Sequence, residues 1–302
     1  MQERMMCHGK TKREGIAAAM DVLKTRFFEK YGVDCPVCGQ PLLRPKTLNI
    51  QTGRKMAGAC PNCGYMEAVQ HSTIPDQAAL TTSARKNDAL GYLTNYSVFS
   101  NLHAFNHRFD NYTTENSSDK QALEHCETVA RKIMNLETIH SLLMGATGLG
   151  KTHLAIGMMY YILEQTGYKY QITVMKDGHP EIVDVTWKIL FIDWRALLLE
   201  KKESFNDEVL AKKLAKTMAE LKRADIVILD DFGSERKTDY ALDLADDFWR
   251  YREDKTVIIT TNLIGDELTA RYGNRLLSRM KNHGVGYSFA FKGRDHRGME
   301  AG

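Results

Sequence analysis

From residue 104 onwards, the chain alternates between short apolar runs and segments in which apolar residues recur at helical intervals. The runs are rich in Ile, Val, Leu and Thr, which favour β-strands. They cover residues 139–144, 171–175, 181–187, 188–193, 226–230 and 256–261. Strands that alternate with helices predict a mainly parallel sheet covered on both faces, and therefore an α/β fold.

Two of the predicted strands, 171–175 and 181–187, are joined by a short connection that contains Asp177-Gly178. An Asp-Gly pair is typical of a tight turn between antiparallel strands, because both residues tolerate positive φ. We therefore expect these two strands to form an antiparallel hairpin that decorates the main sheet.

The first 75 residues follow a different pattern. Residues 15–30 carry apolar side chains at helical intervals and Gly32 follows as a stop signal, so a helix is predicted there. A cysteine-rich segment comes next. Residues 76–103 are mixed and polar, which predicts a linker with a short helix. The expected organisation is a small domain over 1–75, a linker over 76–103 and an α/β domain over 104–302.

Composition narrows the class of protein. The 302 residues are 43% hydrophobic and include only 6 Pro, as in an ordinary folded chain of two domains. No apolar run approaches the ~20 residues of a membrane span, and the charged start has no apolar stretch behind it. We expect a cytoplasmic protein that does not insert into a membrane.

Charge is unevenly distributed, although the formal net charge is only +3. Basic residues outnumber acidic ones at both ends, whereas the middle of the chain is acidic. Basic ends are compatible with a polyanionic partner, and they are equally compatible with a solvated surface. Charge alone leaves both interpretations open.

Four of the six cysteines form two Cys-x-x-Cys pairs, each followed by glycine: Cys35 with Cys38, and Cys60 with Cys63. Two such turns supply four thiolates, which form a tetrahedral zinc site. Four protein ligands leave no coordination position for an activated water, so we expect the zinc to be structural.

Other interpretations of these cysteines are weaker. A redox dithiol needs only one pair, and buried unliganded thiols do not require the repeated Cys-Pro-x-Cys-Gly pattern. Cys7, His8 and His71 are spare candidate ligands, although lone residues of these types are usually structural or exposed.

A glycine-rich loop follows the predicted strand 139–144 and precedes a helical pattern. Its sequence, GATGLGKT, matches the phosphate-binding loop G-x-x-x-x-G-K-[ST]. In this context, successive backbone N–H groups and the helix N-terminus point at the β- and γ-phosphates. The lysine adds charge to those phosphates, and the threonine offers its hydroxyl to Mg²⁺. The predicted nucleotide-binding residues are Gly145, Ala146, Thr147, Gly148, Leu149, Gly150, Lys151 and Thr152.

Strand 226–230 ends in two carboxylates, Asp230 and Asp231. We expect Asp230 to hold the Mg²⁺ shell and Asp231 to polarise the attacking water, so that the chemistry is hydrolysis. An aspartate pair that only caps the next element is the alternative, and the preceding phosphate-binding loop disfavours it.

A polar segment, Thr260-Thr261-Asn262, ends the strand 256–261. Asn262 is placed to help hold the lytic water, although Asn after a strand is most often a turn former. The succession of loop, intermediate strand, carboxylate strand and polar-tipped strand is that of additional-strand ATPases. No Asn-Lys-x-Asp motif indicates GTP, and ATP is therefore the expected nucleotide.

Arg275 and Arg279 lie four residues apart in a predicted helix and therefore on one face. A guanidinium delivered to the γ-phosphate of a neighbouring subunit would stabilise transition-state charge and tie hydrolysis to assembly. The alternative is that the two arginines only form a solvated basic face of the helix. The sequence of this segment, considered by itself, favours that alternative.

These segments resemble the AAA+ ATPase module of DnaC/DnaI-type replicative helicase loaders, relatives of the DnaA initiator. The resemblance covers residues 100–300 and rests on RFDNY at 108–112, MGATGLGKTHLA at 144–155, ILDDFG at 228–233, TTNL at 260–263 and RLLSRM at 275–280. Its most specific element is His153, directly after Gly-Lys-Thr.

The resemblance implies an ATP switch that self-associates when it binds ATP. The resemblance makes His153 a further nucleotide-binding residue and Asn262 the sensor. Arg279 is then the arginine that acts in trans, and Arg275 is the alternative residue for that role. Few residues follow Arg279, so a helical lid domain is not expected.

The resemblance also implies two partners, single-stranded DNA and a replicative hexameric helicase. Single-strand binding requires basic groups for phosphates and aromatic rings for stacking. The family leads us to expect these contacts at Arg195, Lys201, Lys202 and Phe205, although a lysine pair on a helix is normally solvated surface. The zinc domain looks like the DnaI branch, whose corresponding region docks on the helicase, and this docking role rests on position alone.

The expected function is therefore an ATP-dependent loader of the replicative helicase, with ATP, Mg²⁺ and Zn²⁺ as cofactors. An IstB-type transposition helper ATPase is one alternative, although it is not expected to carry a four-cysteine ribbon. A zinc-dependent nucleic-acid-binding module with a degenerate ATPase site is the other.

Overall fold

The computed structural model describes residues 26–48, 55–67 and 77–293. The chain divides into two compact units, Met1–Asp76 and Gln77–Gly302. Within the described ranges, no helix combines the length and the apolar character needed to cross a bilayer.

A small antiparallel sheet forms the centre of the first unit. Strand β1 (Phe28–Asp34) pairs with strand β2 (Pro41–Pro45). The side chain of Leu42 is buried in contact with Cys35 and Cys60. Within residues 26–48 and 55–67, the core is therefore built around the cysteines rather than around a large apolar cluster, as is usual for small metal-stabilised domains.

The helix predicted over residues 15–30 is wrong at its C-terminal end, because residues 28–30 belong to β1. Lys30 lies opposite Leu43 in the sheet. Pairing across the sheet decides the conformation there, and it overrides the helical spacing of apolar residues. Residues 15–25 of this prediction lie outside the described residues.

The second unit alternates helices and strands. Its helices are α1 (Gln77–Tyr96), a 3-10 helix (Leu102–Asn106), α2 (Ser117–Met134), α3 (Lys151–Gln165), α4 (Trp194–Glu203), α5 (Glu208–Leu221), α6 (Asp239–Arg252) and α7 (Asp266–Asn282). Its strands are β3 (His140–Met144), β4 (Lys169–Lys176), β5 (His179–Thr186), β6 (Ile189–Asp193), β7 (Ile226–Asp230), β8 (Thr256–Thr261) and β9 (Ser288–Ala290).

Five of these strands form one parallel sheet in the order β6-β7-β8-β3-β9. Alternate residues of a strand point to opposite faces. Ile226 and Ile228 of β7 accordingly join a core cluster with α2 and α3, whereas Val227 and Leu229 join a second cluster with α4, α5, α6 and α7. The predicted α/β architecture, with helices on both faces of a parallel sheet, is confirmed.

Strands β4 and β5 form a separate antiparallel hairpin. Asp177 and Gly178 occupy its turn with φ of +50° and +81°, so the predicted hairpin is confirmed. The sequence pattern does not predict β9, because three residues are too few to show alternation. Its pairing with β3 creates this strand.

Residues of the predicted linker, 76–103, contribute to the second unit. Helix α1 buries Ala89 and Leu93 in one core cluster of that unit. Val98 forms a parallel bridge with Ile192 of β6. The polar composition of this segment reflects the exposed face of α1, whereas its few apolar residues are packed.

A fully buried arginine lies near the amino ends of β7 and β8. The guanidinium of Arg252, which is 0% exposed, donates to the backbone carbonyls of Leu221, Ala224, Asp225 and Thr256. Burial lowers its pKa to about 10, so it stays charged at neutral pH. One side chain therefore satisfies four carbonyls that close the connections into two central strands.

We predict that Arg252→Met lowers the free energy of unfolding by about 3 to 5 kcal/mol, because it leaves buried carbonyls without donors. Urea denaturation followed by circular dichroism measures this change. The matched control is Arg250→Met on the same helix, whose exposed ion pairs with Asp246 and Asp247 are worth at most about 1 kcal/mol. Equal losses in the two variants would contradict this assignment.

Candidate nucleotide-binding site and metal centre

The strand order brings the predicted nucleotide-binding segments to one edge of the sheet. Strands β7, β8 and β3 are neighbours and run parallel, so their carboxyl ends meet. The loop 145–150 follows β3, Asp231 follows β7, and Asn262 follows β8. In open α/β sheets, this edge is where ligands bind.

The loop 145–150 adopts backbone conformations that require glycine. Gly145, Gly148 and Gly150 have φ of +141°, +83° and +79°. A Cβ on Gly150 would lie 2.7 Å from Cε2 of Tyr112, and one on Gly145 would lie 2.9 Å from the carbonyl oxygen of Phe291. Both positions exclude other residues, since the neighbours are a half-buried ring and backbone. The loop opens directly into α3, whose N-terminus carries partial positive charge.

Lys151 is the first residue of α3, directly after this loop, and is only 4% exposed. Its Nζ donates to the carbonyl oxygens of Gly145 (2.8 Å) and Ala146 (2.6 Å), and to Oδ1 of Asn262 (3.0 Å). The ammonium therefore joins the glycine-rich loop to the polar tip of β8. These neutral acceptors are weaker partners than phosphate oxygens, for which charge-assisted bonds are available.

Asp230 is the acceptor for two hydroxyl groups. Its Oδ1 accepts from Oγ1 of Thr152 at 2.8 Å and from Oγ1 of Thr260 at 2.6 Å. Burial raises the pKa of Asp230 to about 6, with further contributions from the negative charges of Asp231 and Asp193. A cation at this carboxylate would relieve that repulsion, as expected of a Mg²⁺ ligand.

Asp231 has a left-handed backbone, with φ of +51°. Its N–H donates to Oγ1 of Thr260 at 2.9 Å. A non-glycine residue in this region is uncommon and costs free energy, although Asp tolerates it better than most. Thr260 therefore fixes both aspartates. It donates a hydrogen bond to the carboxylate of Asp230 and accepts one from the N–H of Asp231. The sequence motif contains Thr260, but its role is visible only once β7 and β8 are paired.

The site fits a nucleotide with Mg²⁺. The hydroxyl of Tyr112 is buried beside Gly150 and has no hydrogen-bond partner among the described residues. A buried polar atom without a partner is costly, and a polar ligand atom would satisfy it. Thr152 and Asp230 supply two oxygen ligands of the type that Mg²⁺ prefers.

His153 binds the segment that precedes α2. Its Nε2 lies 2.9 Å from the carbonyl oxygen of Arg108 and 2.9 Å from Oδ1 of Asn111, so it carries the proton. Its ring stacks on His107 at 4.1 Å between centroids. Burial, together with His153 and Arg108, lowers the pKa of His107 to about 4. His153 therefore anchors residues 107–111 against the start of α3 in the neutral state.

The two candidate arginines lie in the second half of α7, beyond a break at Gly273. Arg275 is exposed, and within residues 77–293 it forms no ion pair. Arg279 is 13% exposed and pairs with Asp246, with a second contact of 3.8 Å to Glu253. The structure therefore presents one of the two predicted arginines to solvent and binds the other within its own subunit.

The residues predicted to contact DNA are on or beside α4, which directly follows β6, the neighbour of β7 in the sheet. Arg195 and Lys202 are exposed, and Lys201 is half-buried. Phe205 follows the helix and is 78% exposed. An exposed aromatic ring beside lysines is compatible with base stacking.

The four predicted zinc ligands converge in the first unit. Their Sγ atoms all lie within 4.8 Å of one another. Sγ of Cys35 is 3.5 Å from that of Cys63, and Sγ of Cys38 is 3.4 Å from that of Cys60. A tetrahedron with Zn–S bonds of ~2.3 Å has edges of ~3.8 Å, so four thiolates in this arrangement fit a closed zinc site.

The two halves of this metal centre repeat the same backbone turn. The N–H of Gly39 donates to the carbonyl of Cys35, and that of Gly64 donates to the carbonyl of Cys60. Both glycines have positive φ, +71° and +75°. The repeated Cys-Pro-x-Cys-Gly sequence thus produces two equivalent turns. Cys7, His8 and His71, the spare candidates, lie outside the described residues.

No protein-family profile and no curated protein matches this sequence. Among solved structures, the chain is similar to the crystal structure of the DnaC helicase loader, with 23% identity, a TM-score of 0.50, and coverage of 64% of this chain and 100% of that chain. It is also similar to a proposed primosome component from Streptococcus pyogenes serotype M3, with 16% identity, a TM-score of 0.50, and coverage of 70% and 99%.

A third similar structure, DnaI, has 13% identity, a TM-score of 0.45, and coverage of 67% of this chain and 96% of that chain. At these identities, the likeness to the first two structures shows the fold. The predicted α/β fold with a mainly parallel sheet is confirmed, and so is the predicted similarity in fold to a helicase loader.

We predict that the purified protein contains one zinc per chain and that Cys63→Ser loses it, because a closed site with three thiolates binds zinc weakly. Elemental analysis of the protein measures the zinc content. The matched control is Cys7→Ser, which should retain its zinc. Full zinc content in Cys63→Ser would contradict the site, whereas zinc loss in Cys7→Ser would identify Cys7 as a ligand.

Proposed function

We propose that this protein is a cytoplasmic, ATP-dependent loader of a replicative hexameric DNA helicase. The observation that carries the proposal is the meeting of the phosphate-binding loop, Asp230 and Asn262 at one sheet edge, in a fold similar to that of a helicase loader. ATP is the proposed substrate, and ADP and phosphate are the products.

The glycine-rich loop binds the triphosphate in this proposal. Backbone N–H groups of residues 145–150 and the N-terminus of α3 surround the β- and γ-phosphates. Lys151 exchanges its two carbonyl acceptors for phosphate oxygens, and the exchange is favourable because the new bonds join opposite charges. Asn262 loses its bond to Lys151 in the same step and is released toward the γ-phosphate.

Thr152 and Asp230 are the proposed Mg²⁺ ligands. When bound, Mg²⁺ neutralises charge on the phosphates and so lowers the barrier to phosphoryl transfer. A pKa of about 6 leaves Asp230 ionised at neutral pH and ready to coordinate. Thr260 keeps the carboxylate oriented through its 2.6 Å bond.

Asp231 is the proposed base, and it accepts a proton from the attacking water. Its left-handed backbone and its bond to Thr260 hold it next to Asp230. Asn262 orients the same water. A neighbouring subunit supplies the arginine that stabilises transition-state charge. Arg275 is already exposed for this role, whereas Arg279 must leave Asp246 first.

Partner binding completes the proposed function. The zinc-binding unit docks on the helicase. The exposed residues Arg195, Lys202 and Phe205, with the half-buried Lys201, bind single-stranded DNA. Association of subunits places an arginine of one subunit at the nucleotide of the next. ATP binding therefore favours assembly in this proposal.

We predict that Asp231→Asn binds ATP within about twofold of the wild-type affinity but hydrolyses it at least about a hundredfold more slowly, because the variant lacks the base. Fluorescent-nucleotide titration measures binding, and a phosphate-release assay measures turnover. Asp247→Asn, an exposed residue of α6, is the charge-matched control. Normal turnover in Asp231→Asn would remove this residue from the role of base.

The loader assignment is tested by co-purification with a replicative hexameric helicase and, separately, with a transposase. We expect an ATP-dependent complex with the helicase that requires the zinc-binding unit, so Cys63→Ser should abolish it while ATP binding persists. Capture of the transposase alone would instead favour a transposition helper. A protein that binds neither partner and no ATP would favour the zinc-dependent nucleic-acid-binding module.

A further inference from the structure

The segment that follows the acidic tip of β7 is tied to α7 by a buried network that nucleotide binding itself does not require. Glu235, with a side chain 5% exposed, lies at its centre. Oε1 of Glu235 accepts from Oη of Tyr272 at 2.6 Å and from Nε of Arg271 at 3.3 Å. Oε2 accepts from the N–H of Gly233 at 3.1 Å. Arg271 also donates to the backbone carbonyl of Glu235.

A carboxylate buried in this way is costly unless every contact is satisfied. Glu235 meets that condition through three donors from two different elements. Replacing a buried ion pair by apolar residues often leaves stability unchanged, so such pairs are better explained by the geometry that they fix. Here the fixed geometry is that of α7 relative to the loop after β7.

The same loop is rigid between Asp231 and Glu235. The ring of Phe232 is fully buried and stacks on Tyr272, with centroids 4.4 Å apart and planes 9° apart. Gly233 has φ of +93°, and a Cβ on it would lie 2.5 Å from Cδ1 of Leu263. The tightly packed residues between Asp231 and Tyr272 therefore leave little free space to absorb a displacement of Asp231.

Helix α7 is interrupted one residue beyond this anchor. Gly273 has φ of +79° and ψ of +165°, which are not helical values. Arg271 and Tyr272 end the first half of α7, and the second half carries Arg275 and Arg279. The second half of α7 therefore begins directly after Arg271 and Tyr272, the residues through which Glu235 holds the first half. The second half is also packed in the core through Leu276, Leu277 and Met280, and Arg279 forms an ion pair with Asp246 of α6.

We propose that Glu235 is a positioning residue that couples the acidic tip at Asp231 to the arginines of α7. Changes at the nucleotide of one subunit then move the arginines that the same subunit presents to its neighbour. The inference rests on the proposed function, since it requires ATP hydrolysis with an arginine in trans. Glu235 itself touches neither nucleotide nor attacking water.

Subunit mixing separates this role from a general structural one. Glu235→Gln keeps the size of the side chain but removes the charge that faces Arg271. We expect homogeneous assemblies of this variant to turn over ATP about tenfold more slowly than wild type, with ATP affinity changed by less than about twofold. Addition of excess Asp231→Asn subunits, which bind ATP without hydrolysing it and carry intact arginines, should restore turnover of the Glu235→Gln subunits to within about twofold of wild type.

Three controls make the outcome decisive. Arg275→Ala and Arg279→Ala, each mixed with Asp231→Asn, show which arginine acts in trans and how much turnover mixing restores. Tyr272→Phe keeps the ring stack on Phe232 and removes only the 2.6 Å bond, so it should reproduce a weaker form of the same defect. Glu127→Gln, which removes an exposed ion pair on α2, should change nothing.

Each outcome has one meaning. Rescue of Glu235→Gln to the level of the rescued arginine variant supports the coupling. Rescue of the arginine variant without rescue of Glu235→Gln, or wild-type turnover by Glu235→Gln alone, overturns the inference and leaves the proposed function intact. If neither arginine variant loses turnover, the trans arginine of the proposed function fails, and the coupling fails with it.

Discussion

Two hydroxyl groups meet on one buried carboxylate, and the candidate active site depends on this contact. Thr152 belongs to α3, Thr260 to β8 and Asp230 to β7. The contact exists only because the parallel sheet places these strand ends side by side. The two hydroxyl hydrogen bonds favour the charged carboxylate, whereas burial and the negative charges of Asp231 and Asp193 disfavour it, and the net result is a raised pKa of Asp230.

Lys151 supplies positive charge that compensates the negative charge of these aspartates. Its bonds to two loop carbonyls and to Asn262 hold the positive charge within the loop. In the proposed function, nucleotide binding replaces these neutral acceptors by phosphate oxygens. Because Asn262 shares Lys151 with the loop, we propose that one hydrogen bond communicates occupation of the loop to the tip of β8, and that the Glu235 network extends the same dependence to α7.

Local sequence determines the parts of the structure that residues close together can specify. The glycines of the loop, the hairpin turn at Asp177-Gly178 and the repeated Cys-Pro-x-Cys-Gly turns each need only a few adjacent residues. The central strands could be predicted as well, because both faces are buried and their apolar runs are continuous.

Other features depend on contacts between distant residues and could not be predicted. Residues 28–30 are drawn into β1 by pairing with β2, against their helical spacing. Strand β9 exists only because β3 offers it an edge. The Tyr112 hydroxyl beside Gly150, and the bonds between Glu235 and Tyr272, join segments that no sequence pattern relates.

Isothermal titration of ATP into the protein in the presence of Mg²⁺ tests the central claim most directly. The account predicts binding with one ATP per chain, and its loss in Lys151→Ala, while Lys216→Ala on the exposed face of α5 binds as wild type does. Unchanged binding in Lys151→Ala, or no uptake of ATP by the wild-type protein, would contradict the account.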